Sequence, residues 1–132
     1  MKNKSYIEGR REVFQDLSNL PKDEVLIMLN FLKYKQDENE KGFSGRVLYQ
    51  QYLKAATPFI KKAAAELIFF GSPKMMLIGP EDEALWDDVL VVKYNSPESF
   101  LNMIQAEDYP SELRAEALED SRLIYCNSQF VK

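Results

Sequence analysis

Two strand-like segments, each apolar on both of its faces, constrain this chain more than any other feature. In VLIMLNFLKY, residues 25–34, Val25, Ile27, Leu29 and Phe31 alternate with Leu26, Met28, Asn30, Leu32 and Tyr34. In WDDVLVVKY, residues 86–94, Trp86, Asp88, Leu90, Val92 and Tyr94 alternate with Asp87, Val89, Val91 and Lys93. Neighbouring side chains of a strand point to opposite faces, so a sheet built from these segments needs cover on both sides.

Helices supply one cover. Ser44 starts a helical pattern in which Leu48, Tyr52, Ala55, Phe59 and Ala63 share a face, with a kink or break expected at Pro58. Ser96-Pro97-Glu98 is a strong helix start: an N-cap, a proline at the first position and an acid in the first turn. That helix should end at Tyr109-Pro110, with Ser111 capping a short helix through Leu118. ELIFFG and KMMLIG, residues 66–71 and 74–79, are strand-like on either side of Ser72-Pro73, and SRLIYCN, residues 121–127, is the last strand. Residues 5–18 suit a short helix with Ser5 as cap and Ile7, Phe14 and Leu17 on one face.

The order is β-α-β-β-α-β with an extra N-terminal helix. This is the ferredoxin-like α+β arrangement, a four-stranded antiparallel sheet with helices on one face. Residues 1–24 read as N-terminal helix and connector, and 25–132 as a single domain.

Two main helices cover one face only. Roughly eight apolar side chains on the other face, at about 1.5–3 kcal/mol each, represent roughly 12–24 kcal/mol of burial left unrealised. A second copy packed sheet to sheet supplies the missing cover, and twofold dimers are the commonest oligomers. The competing cover is the N-terminal segment folded back on its own chain.

Composition narrows the chemistry. Net charge is −4, so neither nucleic acid nor an anionic membrane is an expected partner. LVVKYNS does not supply an aromatic, basic RNA-binding string, although RNA-recognition domains share the strand order. The single cysteine, Cys126, allows no internal disulfide and fits the cytoplasm. The N-terminus MKNKSYIEGRREVF has no apolar core of a secretory signal. With no histidine in 132 residues, His-ligated haem, His-containing zinc sites and Ser-His or Cys-His catalysis are excluded. No cofactor or metal is expected, and acid–base work falls to Asp, Glu, Tyr, Lys or Cys.

VLIMLNFLKYK, the Tyr49-Gln50-Gln51-Tyr52 helix and YNSPESFLNMIQAEDYPSELRAEALEDSRL together resemble an uncharacterised family of the dimeric α+β barrel superfamily, over about residues 25–127. The family's strand-end signature falls at Tyr94 to Pro97, its acid–tyrosine pair at Asp108-Tyr109 and its arginine at Arg114. The resemblance implies a ferredoxin-like homodimer. The wider superfamily includes cofactor-independent monooxygenases, lactone isomerases, haem enzymes and ligand-sensing domains. The chain departs from the family where a Gly-Gly pair is replaced by Ala63-Ala64-Ala65. The helix is therefore expected to run on, with a different turn into the next strand, and the family's pocket does not transfer automatically.

Asn30, Tyr34, Tyr52, Trp86, Tyr94, Tyr109 and Arg114 are the candidate ligand-binding residues. Aromatics with polar tips around an apolar space are the usual make-up of a small-molecule site, and equally of plain core. Asn30 serves either as a ligand-orienting amide or as a satisfied core group that sets dimer register. Arg114 and Arg122 can hold an anion, or Arg114 can pair with acids on nearby helices. Asp87-Asp88 reads as a solvated strand start, or as a base in whichever of the two is buried, since neighbours in a strand cannot share a proton; Cys126 reads as a buried inert thiol and Met75-Met76 as core. GFSGR, residues 42–46, is a weak phosphate-cradle lookalike, and DENE a solvated loop. The function expected is small-molecule binding by a homodimer, with cofactor-independent catalysis of monooxygenase or isomerase type as one form. Non-catalytic ligand sensing or interaction is the other.

Overall fold

The computed structural model describes residues 5–128. The outermost four residues at each end, which close the 1–24 segment and the 25–132 domain read from the sequence, lie outside the described residues. The elements run α1 (Arg11–Ser18), β1 (Leu26–Tyr34), α2 (Gly45–Lys62), β2 (Glu66–Gly71), β3 (Asp88–Tyr94), α3 (Pro97–Gln105), α4 (Ser111–Ala117) and β4 (Leu118–Asn127). The strands form one antiparallel sheet in the order β2-β3-β1-β4. This is the ferredoxin-like α+β fold, as expected.

Alternation in β1 and β3 sorts the two faces. Leu26, Met28, Asn30, Leu32 and Tyr34 of β1, and Asp88, Leu90, Val92 and Tyr94 of β3, are all buried on the helix side. Two apolar clusters fill that side. One joins Leu26, Met28, Leu90, Val92 and Tyr94 to Phe100, Leu101 and Met103 of α3. The other joins Leu32 and Tyr34 to Leu48, Tyr49, Tyr52 and Ala56 of α2 and to Leu118. The α2 stripe is thus offset from the expected one: Ala56 is buried and Ala55 exposed. A helical face drifts by a fraction of a residue per turn, so one long pattern can be assigned one position off. Pro58 sits inside α2 without ending it. The proline removes one N–H from the ladder, and the next turns continue.

The ends of α2 are well determined. The Ser44 side chain accepts from Val47 N–H at 3.2 Å. At the other end Ala64 N–H bonds the Lys61 carbonyl and Ala65 N–H bonds the Ile60 carbonyl, with Ala64 at φ +55°. This is the paired-bond C-terminal stop usually built on glycine. The helix therefore does not run on through the alanines, contrary to expectation. Ser96 caps α3 by accepting from Ser99 N–H at 3.1 Å, as its sequence implies.

Other boundaries differ from the sequence reading. Helix α1 begins at Arg11, and its cap position is Arg10 rather than Ser5. Helix α3 ends at Gln105, before Tyr109-Pro110, and Ser111 opens α4 without capping it. KMMLIG is not a strand. Met75 is 74% exposed and Ile78 95% exposed, so this stretch is no part of the core. Pro73 and Pro80 flank it, and among the described residues it pairs with no strand, so its β-propensity is not realised.

On the helix-free face, register aligns Leu29 with Val91 and Ile124, Phe31 with Val89, and Phe69 with Val91. Residues 5–24 do not lie across it as a layer: Phe14 packs on Phe100, its ring centroid 6.3 Å away, on the helix side, and the Tyr6 ring reaches the margin at Arg122, opposite Phe31. Cys126 lies across from Ile27 on the same face, half-exposed and not buried in the single chain. Among the described residues no helix is long and apolar enough to cross a membrane.

Candidate functional site

The space between the sheet's helix face and the helices is not fully filled. A cavity of about 840 Å³ remains there. Its floor is the sheet: Met28, Asn30, Leu90, Val92 and Tyr94. Helix α2 contributes Tyr49 and Tyr52, and α3 contributes Phe100 and Met103. Tyr109 and Arg114 close one end, and residues 6–10 with Phe14 form the roof.

Of the seven candidate residues, Asn30, Tyr52, Tyr94, Tyr109 and Arg114 meet around this cavity. Tyr34 and Trp86 do not. Tyr34 points to the end of the sheet, where its hydroxyl donates to Asp88 Oδ2 at 2.5 Å. Trp86 lies on the helix-free face against Phe31, with ring centroids 6.0 Å apart. Strand alternation puts Trp86 on the face of Asp88, Leu90 and Val92, but β3 begins only at Asp88, so the rule does not reach Trp86.

Asn30 is 9% exposed and its Nδ2 donates to the Leu90 carbonyl at 3.3 Å. The amide is anchored to the neighbouring strand through its donor end. Tyr94 is 5% exposed, and its hydroxyl makes a 4.0 Å contact with the Met103 thioether, a weak acceptor. The Tyr52 and Tyr109 hydroxyls hydrogen-bond each other. Arg114 Nη1 donates to the Ile7 carbonyl at 2.9 Å, and the guanidinium also reaches the Tyr49 hydroxyl. The expected pairing of Arg114 with helix acids is absent: among the described residues no carboxylate forms an ion pair with it. The acids of α4 and its surroundings lie on the solvent side, and the guanidinium turns inward.

Burial raises the pKa of Tyr49, Tyr52, Tyr94 and Tyr109 above the ordinary phenol value, because an ionised phenolate would be desolvated. Near neutral pH these groups are therefore hydrogen-bond donors rather than bases.

A second polar cluster, outside the cavity, explains several sequence features. Asp88 is 1% exposed. It accepts from Tyr34, from Arg46 at 2.8 Å and from Ser72 at 2.5 Å. Asp87 accepts from Tyr34 N–H at 2.8 Å. The Asp87-Asp88 pair is thus a latch joining β1, β3, α2 and the chain after β2, not a solvated strand start. Gly45 has its own reason. A β-carbon there would lie 2.6 Å from the Ala117 carbonyl oxygen and from Lys35 N, so GFSGR marks a close backbone crossing rather than a phosphate cradle. In the DENE run, Asn39 Oδ1 accepts from Lys41 and Phe43 N–H and Nδ2 donates to Glu116, so the loop is tied down and not merely solvated.

The sequence reading overlooked Tyr49 and the N-terminal roof. Tyr49 shares a helix face with Tyr52 by their three-residue spacing, a usable signal. The roof had none. Residues 5–10 have no periodicity and are held by the Tyr6 N–H to Asp120 Oδ1 bond at 2.7 Å and the Ser121 Oγ to Tyr6 carbonyl bond at 2.6 Å. Arg122, a candidate anion holder, is occupied by Asp120 at 2.7 Å and lies between the Tyr6 and Trp86 rings, 4.8 and 5.2 Å from their centroids.

Fold and cavity together define a ferredoxin-like α+β protein with an inter-layer pocket lined by phenols. Its similarities fit that class. The chain is 27% identical to the RPA0582 protein of Rhodopseudomonas palustris, a protein of unknown function, with a TM-score of 0.85 over 97% of this chain and 100% of that one. Methylated RPA0582 gives 28% identity and 0.83 over 96% of each chain. A dimeric protein of unknown function with ferredoxin-like fold from Bacteroides fragilis matches at 11% identity and TM-score 0.52, over 81% of this chain and 99% of that one. The hydroxynitrile lyase of Passiflora edulis matches at 19% and 0.53, over 83% of this chain and 98% of that one. These last two likenesses are of fold alone. No family model and no curated protein sequence matches the chain.

Proposed function

We propose that this chain is a small-molecule-binding protein that pairs with a second copy through the helix-free face of its sheet. The observation that carries the binding reading is the cavity of about 840 Å³ with Asn30 and Tyr94 on its floor. Binding sites for drug-sized compounds occupy about 300–1,000 Å³ and combine apolar walls with a few placed polar groups. The dimer reading rests on Leu29, Phe31, Val89 and Val91, which share a face that no helix covers among the described residues, with Trp86 packed at Phe31 as partial cover. A fold neighbour from Bacteroides fragilis is described as dimeric, which supports the same partner.

The wall groups favour holding a ligand over abstracting a proton from it. Protonated phenols, an amide and a guanidinium orient a guest and stabilise negative charge on its oxygens. The one wall carboxylate, Glu8, lies on the exposed roof segment. A cofactor-independent reaction of isomerase or monooxygenase type is the catalytic form of the same reading, with Arg114 and the phenols stabilising a developing oxyanion.

A melting-temperature screen of small organic compounds tests the site. Compounds that stabilise the wild type should lose that effect in Asn30→Ala and Tyr94→Ala, and unchanged stabilisation in both variants would refute the cavity. Light scattering tests the dimer. The expected mass is twice 15.3 kDa, falling to one copy in Leu29→Glu, and a wild-type monomer at micromolar concentration refutes it.

A further inference from the structure

The cavity wall is opposite in charge to the chain as a whole. The chain carries −4, yet the residues around the cavity include Arg10, Arg114 and Arg122 against Glu8 alone, the Arg122 guanidinium turning away to Trp86 on the helix-free face. Two of these arginines are matched already. Arg122 is held by Asp120 at 2.7 Å, and Arg10 lies 3.9 Å from Glu12. Arg114 is matched by no carboxylate among the described residues. Its partners, the Ile7 carbonyl and the Tyr49 hydroxyl, are neutral and engage only part of a five-donor fork.

Donors are in surplus elsewhere on the wall. In the Tyr52–Tyr109 contact one hydroxyl donates and the other accepts, which leaves the accepting phenol its own proton to give. Tyr94, deeply buried, directs its hydroxyl at a thioether. A guest in this space must bring acceptors and negative charge. Between the polar groups lie Met28, Leu90, Val92, Phe100 and Met103, so the rest of the guest is apolar.

We propose that the cavity takes a small organic acid, its single carboxylate on the free side of the Arg114 fork beside the Tyr52–Tyr109 pair, its apolar body over the sheet floor. The carboxylate matches the planar fork in a way a point cation would not exploit. One charge is specified because one cation is unmatched; a phosphate monoester would bring a second that Arg122, already paired, does not neutralise. Burial keeps the surrounding phenols protonated, so they reinforce the anion site near neutral pH. This inference rests on the reading of the cavity as a small-molecule site.

Calorimetric titration of the full chain with matched acid and amide pairs is the test. The probes are 2-naphthoate with 2-naphthamide, 4-phenylbutanoate with its amide, and 2-naphthyl phosphate. At least one acid should bind about tenfold or more tighter than its amide, as a charge-assisted contact requires. Arg114→Gln should abolish that preference, weakening the acid far more than the amide, and a preference that survives the substitution overturns the assignment to Arg114. The acid–amide comparison on wild type needs no variant, so a misfolded Arg114→Gln does not remove the test. Equal binding of acid and amide overturns the anion assignment and leaves the cavity reading standing. Tighter binding of the phosphate overturns the single-charge assignment. If none of the five binds, the organic-acid inference falls, and the melting screen decides the cavity reading separately.

Discussion

Ala64→Gly should stabilise this protein. Ala64 sits at φ +55°, in the left-handed region, and closes α2 through the bonds its own N–H and that of Ala65 make to Lys61 and Ile60. An L-residue with a β-carbon loses about 1–2 kcal/mol in that conformation. Glycine removes that strain but adds freedom to the unfolded chain, which costs about 0.4–1 kcal/mol. The net expectation is a gain of about 0.5–1 kcal/mol, with both carbonyls of the helix end still satisfied. For a chain of this length that corresponds to a rise of about 2–4 °C in melting temperature. The assay is calorimetry of wild type and variant at one protein concentration, since a dimer's melting point depends on concentration. Ala63→Gly is the control. Ala63 is at φ −75°, an ordinary helical value, so glycine there should destabilise by about 0.5–1 kcal/mol. A neutral or destabilising Ala64→Gly, or equal effects at the two positions, would refute the account of this helix end.

Gly45→Ala should destabilise by about 1–3 kcal/mol or prevent folding, because its β-carbon meets only backbone atoms of Lys35 and Ala117; chemical denaturation measures it, and a neutral result would show that α2 does not cross there. Raising the pH above about 10 should unfold the protein, since the unfolded chain then releases phenol protons that the buried Tyr49, Tyr52, Tyr94 and Tyr109 retain. The sign is fixed by the raised folded values: stability is complete below the ordinary phenol pKa and declines above it. Tyrosinate absorbance should therefore appear together with loss of circular dichroism, and full ionisation in a folded protein would contradict this. Tyr125, half-buried beside the core, should titrate at about 12, held up by its hydrogen bond to Glu24. Asp120→Ala should speed hydrogen exchange at the Tyr6 amide while β4 stays protected, because that amide donates to the Asp120 carboxylate; unchanged protection at Tyr6 would mean the roof is held otherwise.

The β-α-β-β-α-β order was legible because its signals are local and strong. Two-sided apolar runs gave β1 and β3, and Ser96-Pro97-Glu98 marked the start of α3. Five of the seven candidate residues meet at the cavity because helical and strand spacing place them on inward faces. What escaped depends on contacts between distant segments. Tyr34 obeys strand alternation and points inward, yet its position along β1 brings it to Asp88 and not to the cavity. Asp88 itself reads as polar until Tyr34, Arg46 and Ser72 are brought around it. The turn at Ala64 breaks the rule that a left-handed helix end calls for glycine, and no sequence rule marks such an exception in advance. KMMLIG has the composition of a strand, yet among the described residues it pairs with none.

The sheet has two margins, and they are treated differently. Along β4 the Tyr6 backbone bonds the Asp120 and Ser121 side chains. Along β2 nothing among the described residues adds a further strand, and Leu67, Ile68, Phe69 and Phe70 are all substantially exposed. Such a border recruits any extended chain of matching length. The skipped register at Ile68, between Leu67 and Phe69, bends it out of a flat ladder. A bend of this kind interrupts the row of free N–H and C=O groups that another extended chain would need, so the irregularity at Ile68 makes this border a poorer template than its apolar side chains alone would.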